Sequence, residues 1–232
     1  MIDPRYKDLI YRTVPLPVLQ MALPRVAPGK SPFLPPIIAR RAIFIHVPKA
    51  AGTSLKIELY GAATGGHRTI GEYMAYDGAR TRDFLKFCFV RNPWDRLLSA
   101  YSYLKQGQRA SMRDKAFAAR FLSDTQDINE FVLSLQDRAL RRQVMVYDHF
   151  RPQSHWICLP GAKTHAMDFI GRFETLEEDT NRVREMLSLP LGGVEKIRPS
   201  DHAPYREAYT AQARRIVADL YAQDIALLEY EF

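Results

Sequence analysis

Lys49 sits where an apolar, β-branched run meets a run of small residues, in the stretch IFIHVPKAAGTSLK at positions 43–56. A strand that ends in a tight loop and then opens a helix makes an anion socket. The first N–H groups of a helix have no intrahelical acceptor, and the helix dipole adds positive potential. Ala50, Ala51, Gly52, Thr53 and Ser54 would supply those N–H groups, with Lys49 adding a full charge at the rim. The competing reading of Lys49 is a solvated loop lysine; the small residues beside it favour the socket, because they let a ligand come close. The pattern differs from the ATP-binding loop G-x-x-x-x-G-K-[ST], in which the lysine directly precedes the Ser/Thr and a hydroxyl holds magnesium. Here the lysine opens the loop, and Gly29-Lys30 follows no strand. A magnesium-dependent kinase is therefore disfavoured.

A second candidate lies in FVRNPWDRLLSAY at 89–101. Arg91 stands at the carboxyl edge of an apolar run, where ligands gather in open α/β sheets. Ser99 follows two turns along the next helix. The planar fork of arginine suits a phosphate, although Arg91 could equally pair with Asp95. Trp94, Leu97, Leu98 and Tyr101 read as core. Together the two sites suit a ligand with phosphate-type groups at both ends.

The elements that must carry these residues follow from pattern. RAIFIHV, LKFCFV and MDFIGRF read as buried strands. SLKIELY follows as a short helix capped by Thr53 or Ser54 and stopped at Gly61. Pro93 suits a first helical position, where its missing N–H would have no partner. Residues 112–143 are helical in character, with Phe117, Phe121, Ile128, Phe131, Val132 and Leu135 at mixed three and four spacing. Residues 210–228 put Ile216, Val217, Leu220, Tyr221, Leu227 and Leu228 on one helical face. Strands alternating with helices imply a parallel sheet covered on both sides. Eight of the 15 prolines fall in the first 36 residues, which predicts an extended arm over residues 1–40 and a folded domain over 41–232.

Charge narrows the ligand. The chain carries 33 Lys and Arg against 26 Asp and Glu, a net +7, which favours an anionic partner. The charge is spread along the chain and the aromatics between look buried, which argues against nucleic acid. Cys88 and Cys158 lie in apolar runs with no metal-binding spacing, and read as reduced core residues. No apolar stretch is long enough to span a bilayer, and MIDPRYKDLIYRTVP breaks the apolar core that a signal peptide needs. A cytoplasmic protein with no transmembrane segment is the expectation.

HVPKAAGTSL with FCFVRNPWDRLLSAYSYL resembles the paired binding motifs of the sulfotransferases that use 3'-phosphoadenosine 5'-phosphosulfate (PAPS), in the carbohydrate-type, family 2 branch. DFIGRFETLEED and the closing YTAQARRIVADLYAQDIALLEYEF are similar to that branch too, so the likeness runs from about Ile43 onward. It implies an α/β fold: a three-layer, P-loop-like domain with a central parallel sheet flanked by helices. It further implies PAPS as donor and 3',5'-adenosine bisphosphate (PAP) as product, a first loop that binds the 5'-phosphosulfate, and Arg91 and Ser99 on the 3'-phosphate. Lys49 would then meet charge on the departing oxygens, so no metal is required. The acceptor would be a hydroxyl of a glycan or glycolipid. Ala50 and Ala51 stand where relatives often have threonine and glycine, and LLEYEF stands where they commonly show Phe-Gly-Tyr.

A general base is needed, and histidine is the usual choice. His67, in GGHRTI, occupies a loop where relatives bring an acceptor-side histidine; His155, in YDHFRPQSHWI, is the runner-up and Glu72 a carboxylate alternative. His46 reads as structural, and His165 and His202 as exposed. Arg151, Gln153 and Ser154 are either ligand contacts or surface residues, and Glu174 and Asp179 are helix-start acids. The rival functions are a nucleotide-dependent phosphotransferase and a non-catalytic anion or nucleic-acid binding module.

Overall fold

A computed structural model describes residues 10, 13–26, 31–60, 66–108, 110–191 and 204–232. The expected helix stop at Gly61 and the histidine at 202 lie outside them. Two units divide the chain: residues 1–90 with 153–197, and residues 91–152 with 198–232.

The first unit holds α1 (Leu16–Val26), α2 (Pro35–Arg40), β1 (Ala42–Ile45), α3 (Gly52–Tyr60), α4 (Ile70–Tyr76), α5 (Gly78–Asp83) and β2 (Leu85–Val90). The second supplies α6 (Pro93–Gln106), α7 (Met112–Phe121), α8 (Ile128–Ser134) and α9 (Arg138–Val144). The chain then returns to the first for α10 (Ser154–Ile157), β3 (Phe169–Arg172) and α11 (Leu176–Met186). It finishes in the second with α12 (Tyr205–Ala208), α13 (Ala211–Leu220) and α14 (Ala222–Leu228).

The three strands form one parallel sheet in the order β1-β2-β3, with Phe44 beside Phe87 and Phe89 beside Gly171. Central β2 is buried from Lys86 to Val90, which is why its sequence is an apolar run rather than an alternation. With helices around it, this is the α/β architecture that the strand pattern implied.

The proline-rich stretch is not an extended arm over 16–26 and 35–40. Leu19 on α1 is buried and Gln20 Nε2 donates to the Met74 carbonyl at 2.9 Å. Four of the prolines mark helix starts instead: Pro15 and Pro17 flank the beginning of α1, and Pro35 and Pro36 occupy the first two positions of α2, whereas Pro24 lies in the last turn of α1. A missing N–H costs nothing in a first turn.

In the second unit the apolar stripe over 112–143 is cut into three helices. Asp127 and Asp137 accept from the first N–H groups of α8 and α9, so each break is a side-chain cap. Phe117, Ile128, Phe131, Val132 and Leu135 nevertheless join one core with Trp94, Leu97 and Tyr101. The single helix expected over 210–228 likewise breaks at Tyr221, whose ring stays buried and whose hydroxyl donates to the Phe150 carbonyl at 2.7 Å. The closing residues pack on the start of α6. Phe232 meets the Trp94 ring at 5.4 Å, and Asn92 Nδ2 donates to the Glu231 carbonyl at 2.7 Å.

Candidate active site

β1 delivers the chain to a turn at 48–51 that opens α3. Two non-glycine residues in that turn adopt left-handed backbone, Lys49 at φ 69° and Ala51 at φ 61°. Such residues cost about 1–3 kcal/mol each and persist where surrounding structure holds them, typically at functional sites. Successive turns of opposite hand aim backbone N–H groups into one concavity, a common form of anion nest. The Ala50 N–H is directed to the Val47 carbonyl at 3.4 Å, so Ala50 is not the outward donor that its place in the loop suggested. Among the described residues the first intrahelical bond runs from Leu55 N–H to the Ala51 carbonyl at 3.3 Å. The N–H groups of Gly52, Thr53 and Ser54 thus precede the ladder, as a socket requires.

Glycine at 52 has a specific cause. A Cβ built there would lie 1.8 Å from Cδ2 of His46. The imidazole of His46 therefore lies on the helix start, and no larger residue fits beneath it. From sequence His46 reads as structural, and the glycine at 52 is the sequence feature that its place over the loop explains.

His67 joins the same group. Its ring centroid is 4.3 Å from that of His46, and Nδ1 lies 3.2 Å from the His46 carbonyl. A carbonyl only accepts, so Nδ1 carries the proton and the lone pair falls on Nε2. That is the tautomer of a general base with Nε2 as the accepting atom. The Trp156 ring lies 5.8 Å from His67 and 5.1 Å from His155, so α10 brings the runner-up histidine against the same indole. Trp156 is buried, and its indole N–H has no hydrogen-bond partner among the described residues.

The carboxylate alternative is otherwise engaged. Glu72 accepts from the Thr69 N–H at 2.9 Å in a capping box that starts α4, and pairs with Arg68 at 3.2 Å. Lys56, which the sequence pattern did not single out, is only 7% exposed on α3, and its Nζ donates to the Gly66 carbonyl at 2.6 Å. Burial holds its ammonium down at about 8. Gln153 and Ser154 are buried, which removes the surface reading for both.

In the second unit Arg91 is buried at 4% exposure, and its Nε donates to Asp95 at 2.6 Å. The ion pair with Asp95 that the sequence offered as one reading exists; it engages the Nε–H and orients the guanidinium. Asn92 caps α6 through the Trp94 N–H at 3.1 Å, which fixes the helix that follows Arg91. Ser99 is buried on the same helix. Arg96 is fully buried and donates to the Arg151 carbonyl at 2.7 Å, while Arg151 Nε donates to the Val146 carbonyl at 2.6 Å. Both arginines thus brace the 146–151 turn, and Arg151 is no surface residue.

Asp179 fits its reading as a helix-start acid, accepting from the Arg172 N–H at 2.8 Å. Cys88 and Cys158 are reduced and buried, as expected, and burial pushes the Cys88 thiol up. No group of side chains among the described residues is arranged to hold a metal ion.

A sequence model described as the sulfotransferase family matches residues 40–231. Carbohydrate sulfotransferase 11 of Mus musculus is 28% identical over 134 residues, 51% of this chain and 37% of that protein. Carbohydrate sulfotransferase 14 of Homo sapiens is 33% identical over 121 residues, 48% of this chain and 31% of that protein. An uncharacterized protein of Archaeoglobus fulgidus is 34% identical over 107 residues, 46% of this chain and 70% of that protein. The chain thus spans less than two-fifths of the length of the two carbohydrate sulfotransferases. No solved structure matches it significantly.

Proposed function

The chain belongs to the sulfotransferase family, and from that premise we propose that it moves a sulfuryl group from PAPS to a hydroxyl of a glycan or glycolipid. The observation that carries the reading is the pairing of His67 with His46, which lies on the start of the helix that the donor loop opens. A base of fixed tautomer beside an anion socket is what attack on a phosphosulfate calls for.

In this reaction the acceptor oxygen attacks sulfur, the bond from sulfur to the bridging phosphate oxygen breaks, and the acceptor proton passes to Nε2 of His67. PAP departs with the electron pair. Lys49 and the N–H groups of Gly52, Thr53 and Ser54 hold the 5'-phosphosulfate, and Lys49 stabilises charge that grows on the leaving oxygen. Arg91 and Ser99 hold the 3'-phosphate. The carbohydrate acceptor is supported by the names of the relatives.

Nucleotide binding tests the proposal before any acceptor is known. PAP at about a hundred times its dissociation constant should stabilise the fold by about 2.7 kcal/mol, and 5'-AMP should do far less. Equal shifts with 5'-AMP, or a larger shift with ATP and magnesium, would move the assignment to a phosphotransferase.

A further inference from the structure

Lys56 is an expensive residue to bury. Removing an ammonium from water costs several kcal/mol unless charge or hydrogen bonding offsets it, and the lysine is held at 7% exposure. Its one hydrogen bond among the described residues goes to a neutral carbonyl, that of Gly66 at 2.6 Å. Gly66 turns the chain through left-handed backbone at φ 55°, and the next residue is His67. The same two-residue stretch is held a second time, by Nδ1 of His67 at 3.2 Å from the His46 carbonyl. Lys56 itself lies on α3, whose first turn is the donor loop.

We propose that Lys56 is a positioning residue for His67: its ammonium straps the Gly66 carbonyl to α3, so that the donor loop and the base are carried by one rigid piece of backbone. This rests on the sulfotransferase reading only for the word base; the strap itself is a matter of geometry. A lysine suits the task because a charged donor makes a stronger bond to a carbonyl than a neutral one, and its long stem reaches from the helix across to the turn. The strap also fixes the imidazole, since Nδ1 keeps its carbonyl only while the backbone at 66–67 stays in place. A displacement of about 1 Å in a reacting group can cost about 10²-fold in rate, so loss of the strap should appear in turnover rather than in donor affinity.

The test reads the His67 ring directly. Nitrogen-15 imidazole spectra of the full chain, assigned with a His67→Gln variant, should show neutral His67 protonated at Nδ1. In Lys56→Met the two tautomers should mix, while PAP affinity stays within about twofold of wild type and melting shows a folded protein. Lys56→Gln, polar but too short to reach Gly66, should do the same and serves if the methionine variant does not fold. With an acceptor from a glycan panel, kcat should fall about 10- to 100-fold in either variant with the donor KM unchanged. A folded Lys56 variant that keeps the Nδ1–H tautomer overturns the proposal even if PAP binds. If wild type does not bind PAP but the tautomer shift still occurs, the strap stands and the sulfotransferase reading falls.

Discussion

Lys49 is held in left-handed backbone at φ 69°, a conformation that an L side chain adopts only at a cost. Arg41 and Glu229 bear the same conformation as C-caps of helices, but Lys49 stands in the turn before a helix, where left-handed backbone shapes an anion nest. In the proposed transfer its charge would act on oxygens that become negative only as sulfur leaves. Lys49→Ala should therefore lower kcat more than it weakens PAP binding, while Arg91→Ala should chiefly weaken donor binding. A Lys49→Ala enzyme that binds donor poorly but turns over normally at saturation would reverse these roles. His67 makes a demand on pH. Imidazolium cannot accept a proton, so turnover should fall on the acid side of neutrality. His67→Ala should cost about 10² to 10⁴ in rate and remove that acid limb, with His155→Ala as the matched control. If the His155 variant loses the limb and the His67 variant keeps it, the base is His155.

At the scale of elements, the loop works because of what α3 and β1 exclude. Ala at position 52 would place a Cβ 1.8 Å from the His46 ring, so Gly52→Ala must rotate that ring away and should cost about 1–3 kcal/mol as overpacking. Thermal melting reads the cost, and an unchanged melting temperature would mean that the ring does not lie on the helix. Asp114 offers a separate check in the second unit. Burial pushes its carboxyl up, but hydrogen bonds from Tyr147 and Ser111 and the charge of His149 outweigh this and hold it at about 2. Because the folded value lies below the unfolded one, the stabilisation is complete above about pH 4 and is lost as pH falls through about 2. Asp114→Asn should therefore be less stable than wild type by about 1–2 kcal/mol at pH 7, with the gap closing between pH 4 and pH 2. A gap that does not change with pH would assign the loss to packing. The three strands and the role of Pro93 were legible in sequence because burial on both faces leaves apolar runs and a first helical turn tolerates proline. The helix at Leu16–Val26 was not, since proline density reads as a breaker unless its place relative to the first turn is known. Nor was the pairing of His46 with His67, or of Lys56 with Gly66, because each joins residues ten or more positions apart that no local periodicity relates.

For the whole molecule, the net charge of +7 suits an anionic ligand, and the family match over residues 40–231 is the basis of the proposed nucleotide donor. The position of the chain's cations, more than their number, separates the donors that such a fold can use. A phosphotransferase needs a metal to bridge β- and γ-phosphates, while a lysine and a helix start supply the positive charge for a phosphosulfate. Transfer of labelled sulfuryl from PAPS to a glycan panel, run in parallel with and without EDTA, tests this most directly. The account predicts labelled glycan and PAP in equal amounts, with chelation leaving the rate largely intact. Absence of transfer to any hydroxyl by a protein that binds PAP, or transfer abolished by EDTA and restored by magnesium, would contradict it.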